Sequence, residues 1–172
     1  FLREGEIWTM DANGENRKKL SDTEGAIEGY KFSPDGKKVI LLKSLDYHGT
    51  IKKNPSDLPL ATGRLVTDMN YRHWDHYVEQ ISHAFVADVT ENGIANVVDI
   101  LKGEPYECPL APFGGIEQLD WSIDSKLVAY TCRKKEGVDY AISTDADIYI
   151  YNVETKRTRN LCKPEGYKEP KI

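Results

Sequence analysis

FSPDGKKVI, Phe32 to Ile40, returns as WSIDSKLVA at Trp121 to Ala129. In both, an aromatic residue and a serine lead into a turn that contains aspartate, and lysine opens a short apolar run. Each copy follows an apolar lead-in, Ile27 to Tyr30 in the first and Ile116 to Leu119 in the second. A strand–turn–strand unit that recurs marks a repeat architecture. Such a scaffold carries function on its faces and insertions.

Working outward, Glu6 to Asp11 leads to Asn13-Gly14, a hairpin turn in which both residues tolerate positive φ, and Arg17 to Leu20 returns. Ile27 to Phe32 then enters Ser33-Pro34-Asp35-Gly36, where proline presets φ and glycine closes the turn. Val39 to Leu42 follows as a buried strand. His83 to Val89, a turn at Glu91-Asn92-Gly93 and Ala95 to Ile100 begin the next cycle. Ile116 to Trp121 and Leu127 to Cys132 repeat the inner pair. Ala146 to Val153, a turn at Glu154-Thr155-Lys156 and Thr158 to Leu161 complete it. Short β-meanders with aromatic and aspartate motifs in each unit are the signature of a β-propeller. A sandwich is the competing reading, and the repeated order within each unit favours the propeller.

The expected fold is therefore all-β: an open β-propeller fragment of about two and a half four-stranded antiparallel blades with one long insertion. Residues 1–45 are expected to form an outer hairpin and the inner hairpin of the next blade. Residues 46–82 are the insertion. Residues 83–132 supply an outer hairpin and the following inner hairpin, and 133–172 the last outer hairpin and a truncated end. The first residues already read as the middle of a strand pattern, so the chain is expected to begin inside a larger protein. An open set of blades leaves unpaired sheet edges, which predicts self-association.

Composition narrows the function. The 172 residues are 40% hydrophobic and 30% charged, with 28 acidic against 23 basic side chains and a formal net charge of −5. That balance argues against a nucleic-acid surface. The basic runs Arg17 to Lys19 and Arg133 to Lys135 read as solvated edge charges. No window reaches the roughly 18 apolar residues of a membrane span, and no signal peptide is visible. Cys108, Cys132 and Cys162 include no CxxC pair, so they read as ordinary thiols, not as a zinc or disulfide framework.

Candidate chemistry is sparse. His73 and His76 flank Asp75 at a spacing that suits a metal, yet His48 and His83 have no fixed relation to them. A packed structural segment is the plainer reading. No serine sits in GxSxG, and Ser33 and Ser122 fall where a hydroxyl caps a turn. The glycines form no phosphate-cradling pattern. Asp145 with Asp147, and Glu104 with Glu107, are ordinary for so charged a chain. No catalytic residue, metal site or cofactor is expected in the chain itself. Gly103 to Glu107 (GEPYE) is a better binding candidate: a carboxylate on a proline-stiffened loop suits an ammonium group, although a solvated loop acid is the simpler alternative.

Trp8 to Gly14, FSPDGKKV, ATGR (Ala61 to Arg64), YRHWDHYVE (Tyr71 to Glu79), GEPYE, CRKKEG (Cys132 to Gly137) and STDADIYIYN (Ser143 to Asn152) together resemble the N-terminal propeller of the dipeptidyl-peptidase V-like members of the prolyl oligopeptidase family of serine peptidases. The resemblance covers essentially the whole chain. FSPDG is common among propellers; YRHWD, GEPYE and ADIYIYN in that order are specific. The resemblance implies a propeller that caps a C-terminal α/β-hydrolase domain, limits substrate size and holds the free amino terminus of peptide substrates. It implies release of dipeptides and, in bacteria, a periplasmic location. The match to the amino-terminus anchor falls on Glu107, with Glu104 of the same loop as the second candidate. Neither nucleic acid nor membrane is implied as a partner. A non-enzymatic propeller that binds proteins or glycans through its loops is the alternative. WSIDS departs from the pattern, since its turn must close without proline or glycine.

Overall fold

The structure is a computed structural model that describes residues 1–47, 50–51, 60, 62, 65–69, 77–163 and 166. It is all-β, built from antiparallel sheets of three and four strands in an open, propeller-like arrangement, none closed into a barrel. The first sheet holds β1 (Leu2–Arg3), β2 (Glu6–Thr9) and β3 (Lys18–Lys19). The second is ordered β4 (Ile27–Phe32), β5 (Lys38–Asp46), β8 (Gln80–Thr90), β9 (Gly93–Asp99). Between β5 and β8 a separate ribbon pairs β6 (Thr50–Ile51) with β7 (Leu65–Val66). The third sheet runs β10 (Leu119–Trp121), β11 (Leu127–Cys132), β12 (Asp147–Asn152), β13 (Arg157–Asn160).

The central strands of the second sheet, β5 and β8, are buried on both faces, which explains the unbroken apolar run from Val39 to Leu42. Ile40, Leu42, Ala84 and Val86 face Leu119, Val128, Tyr130 and Tyr151 of the third sheet. Val39, Leu41, Phe85 and Ala87 join Ile7 and Ile27 on the opposite side. Strands covered on both faces lose the usual alternation of apolar and polar residues.

β5 and β8 pair without a break from Lys38↔Asp88 to Asp46↔Gln80. The segment that sequence marks as an insertion therefore leaves and re-enters at one sheet end, where the Tyr47 amide donates to the Glu79 carbonyl at 2.8 Å. Tyr47, Val78 and Ile81 form a small core beneath it, and the Tyr47 hydroxyl donates to Asp68.

Both repeat turns use one hydrogen-bond net. Ser33 Oγ donates to Asp35 Oδ1 (2.7 Å) and accepts from the Lys38 amide (2.9 Å), and Asp35 accepts from the Lys37 amide (3.1 Å). Ser122 Oγ donates to Asp124 Oδ1 (2.6 Å) and accepts from the Leu127 amide (2.9 Å), and Asp124 accepts from the Lys126 amide (3.2 Å). The two serines cap turns, as their place in the motif suggests. Where the first copy has Gly36 at φ +69°, the second holds Ser125 at φ +60°.

Two elements differ from the sequence reading. Ile116 to Gln118 is a 3₁₀ turn and not the start of β10. Gln118 Oε1 accepts from the Leu110 amide (2.9 Å) and Glu117 Oε1 from the Gly115 amide (2.7 Å), so these side chains tie the segment to the preceding loop. A short helix, α1 (Gly137–Ile142), follows the third sheet's first hairpin and is anchored by buried Tyr140, whose carbonyl accepts from Arg133 Nη1 at 3.0 Å.

Candidate functional site

The loop after β9 is built by backbone bonding. Asp99 Oδ1 accepts from the Leu101 amide at 2.9 Å, and the Glu104 amide donates to the Leu101 carbonyl at 2.8 Å. Gly103, at φ +83°, closes that turn. The far end is pinned by the Cys108 amide, which donates to the Ser82 carbonyl at 2.8 Å, and by the Cys132 thiol, which donates to the Glu107 carbonyl at 3.4 Å. Leu101 and Cys108 are core residues. The GEPYE segment is thus held at both ends.

Between this loop and the end of the second sheet lies a cleft of about 240 Å³. Leu45 and Ile81 form an apolar wall, Asp46, His83 and Asp99 supply polar lining, and Gly103, Glu104 and Pro105 form the rim. His83 is 3% exposed, with Nδ1 at 3.0 and 3.2 Å from the two carboxylate oxygens of Asp99. A cleft with three carboxylates and one carboxylate-bonded imidazole favours a cationic ligand.

The two glutamates differ. Glu104 borders the cleft, and its Oε2 lies 2.5 Å from Lys134 Nζ. Glu107 is 3% exposed and does not line the cleft; it is its backbone carbonyl that meets the Cys132 thiol. Tyr106 packs on the core between them, and its hydroxyl donates to Glu136 Oε1 at 3.5 Å. Burial pushes the Tyr106 hydroxyl above the ordinary tyrosine value, with the neighbouring acids adding to it.

Other sequence candidates resolve into ion pairs. Asp145 and Asp147 meet Lys163 Nζ at 3.1 Å each, and Lys135 reaches Asp145 at 3.4 Å. Lys19 meets Glu6 and Asp22 at 3.0 Å each. Arg133 to Lys135, by contrast, are half-buried and paired, not solvated edge charges, because the segment after β11 packs against α1 and the Gly103–Glu107 loop. His73, Asp75, His76 and His48 lie outside the described residues. Among the described residues no group of three or more His, Cys, Asp or Glu is placed to hold a metal, and no helix is long and apolar enough to cross a membrane.

The His83–Asp99 pair is hard to find in the sequence. The β8–β9 hairpin carries a register shift between Val86 and Asp88, and without it a count from the Glu91-Asn92-Gly93 turn sets His83 opposite Ile100.

No family model matches the chain. It is similar to proteins named Dipeptidyl-peptidase 5. That of Porphyromonas gingivalis is 46% identical over 139 residues, 81% of this chain and 20% of the relative. That of Porphyromonas endodontalis is 36% identical over 162 residues, 93% of this chain and 23% of the relative. That of Arthroderma otae is 29% identical over 180 residues, 95% of this chain and 24% of the relative. The chain spans about a fifth to a quarter of the length of these curated relatives.

Proposed function

We propose that this chain is part of the β-propeller cap of a dipeptidyl peptidase of the prolyl oligopeptidase family, a periplasmic serine peptidase that removes dipeptides from peptide N-termini. In this reading the chain carries no nucleophile. It works with a C-terminal α/β-hydrolase domain of the same polypeptide and gates what reaches it. The observation that carries the reading is the 46% identity, over 81% of the chain, to a relative named Dipeptidyl-peptidase 5. The successive stacking of sheets through two cores supports the propeller part.

The loop from Gly103 to Glu107 supplies the carboxylate for the substrate's terminal ammonium. A protonated amine against a carboxylate in a partly enclosed cleft forms a charge-assisted hydrogen bond, about twice as strong as a neutral one. Glu104 lines the cleft, whereas Glu107 is buried and is not among its lining residues. Substrates with a blocked amino terminus lose this bond and leave the acidic lining without its counter-charge.

The test uses the full-length polypeptide that contains this chain, with a chromogenic dipeptidyl substrate and its N-acetylated form. Dipeptide release that acetylation abolishes is the expected result. Glu107→Gln and Glu104→Gln are each measured on the free-amine substrate. Unchanged kcat/KM in both removes the loop from substrate binding, and no release from any peptide with a free amino terminus removes the peptidase reading itself.

A further inference from the structure

We propose that Lys134 is the positioning residue of this loop: its ammonium holds one oxygen of Glu104, and the other is left oriented toward the cleft as the acceptor for a primary ammonium group of the ligand. The inference rests on the peptidase reading and assigns a residue to it outside the GEPYE motif.

Lys134 stands just after β11, on the third sheet's side of the loop. Its Nζ lies 2.5 Å from Glu104 Oε2, 4.6 Å from the centre of the Tyr149 ring and 5.8 Å from that of Tyr106. A carboxylate and two aromatic faces form a cage that suits an ammonium ion. The lysine side chain is 23% exposed and that of Glu104 34%. Glu104 Oε2 is enclosed and accepts no well-aligned hydrogen bond, so Lys134 holds it as an ion pair, and in this proposal the ligand's ammonium takes the other oxygen.

Glutamate is a poor anchor when free to rotate, because ordering its side chain opposes binding. The loop position adds to this freedom, since Gly103 precedes Glu104. A fixed cation behind the carboxylate removes most of that freedom before the ligand arrives. It also ties the loop to β12 through Tyr149, so the shape of the cleft depends on the third sheet.

The experiment is a mutant cycle in the full-length polypeptide with Lys134→Met, Lys134→Arg, Glu104→Gln and the Lys134→Met/Glu104→Gln pair. On a dipeptidyl substrate with a free amine, Lys134→Met is expected to raise KM about tenfold, part of what one charge-assisted contact is worth, with the loss in KM and not in kcat. Lys134→Arg restores most of it. The double variant is no worse than Glu104→Gln alone, because both changes remove one unit.

An unchanged KM in Lys134→Met, or additive losses in the double variant, overturns the assignment while the peptidase reading stands. A lowered KM also overturns it, since Lys134 then competes with the ligand for Glu104. If the wild type releases no dipeptide, the cycle is read from calorimetric affinity for a dipeptide amide against its N-acetyl form. The same pattern there keeps Lys134 in place and removes only the peptidase reading. No binding by the wild type overturns both.

Discussion

The backbone amide of Asp35 donates to Ser125 Oγ at 3.1 Å, so the turns of the two repeat copies touch. Nearby, Trp121 Nε1 donates to the Lys31 carbonyl at 3.0 Å and Lys31 Nζ to the Leu119 carbonyl at 2.6 Å. The repeats thus meet through strand ends and turns as well as through the apolar core between their sheets. Ser125 serves two structural roles: it closes its own turn in a left-handed conformation and caps its neighbour's.

These roles oppose each other on substitution. Left-handed backbone costs a residue other than glycine roughly 1–2 kcal/mol, and the hydrogen bond to Asp35 is worth about 1 kcal/mol. Ser125→Gly loses the bond and relieves the backbone, so its stability should stay close to that of the wild type. Ser125→Ala loses the bond and keeps the strain, and should fall below the glycine variant by about 1 kcal/mol. Urea midpoints at constant m-value decide this. An alanine variant as stable as the glycine variant contradicts it.

The same turns predict the acid limb. The Ser33 hydroxyl holds Asp35 below the ordinary aspartate range, and the Ser122 hydroxyl does so for Asp124. Lys38 lowers Asp88 and Lys163 lowers Asp145. Each group binds its proton less readily folded than unfolded. Its contribution is present above the unfolded value and disappears as pH falls through the folded one. Stability should hold down to about pH 5 and decline below about pH 4. The Asp35→Asn/Asp124→Asn variant should show a shallower decline, and an identical acid slope would refute this origin.

Thiol reactivity separates the cysteines. Burial pushes the Cys108 thiol well above its ordinary value and Cys132 up to about 12. Both side chains are enclosed, while Cys162 is exposed. Native protein should react with iodoacetamide at Cys162 alone, and denatured protein at all three, since the thiolate is the nucleophile. Peptide mass mapping reads the outcome. Native labelling of Cys132 would mean that the contact of its thiol with the Glu107 carbonyl opens in solution.

The turns and strand order were largely legible in the sequence because each depends on neighbouring residues. Asn13-Gly14, Ser33 to Gly36 and Glu91 to Gly93 carry their geometry in their own φ requirements and side-chain bonds. The candidate site is assembled from parts far apart in the chain, and less of it was legible. GEPYE stands out through Pro105 and the neighbouring Pro109, but the burial of Glu107 depends on Cys132 and the core under Leu101. The partner of Glu104 comes from the strand end thirty residues on, and that of His83 depends on a hairpin irregularity. α1 escapes the periodicity test because Val138 and Ile142 are exposed and Tyr140 alone is buried.

Gly93 joins the first sheet to the second, and its replacement tests that joint. Its φ is +124°, and a Cβ placed there would stand 2.5 Å from the Leu20 carbonyl oxygen. That oxygen cannot easily withdraw, because it accepts from the Ile94 amide at 2.8 Å. Gly36 has a comparable left-handed backbone at φ +69°, with nothing within 4 Å of a Cβ. Gly36→Ala therefore meets backbone strain alone and should cost about 1 kcal/mol. Gly93→Ala meets strain and a fixed carbonyl together and should cost about 2–4 kcal/mol. The added loss should appear as faster hydrogen exchange at the Ile94 amide and through β2 and β3, because the contact that fails is the one binding those strands to β9. Equal losses in the two variants would mean that the first sheet yields without cost, and that Leu20 does not hold it against the second.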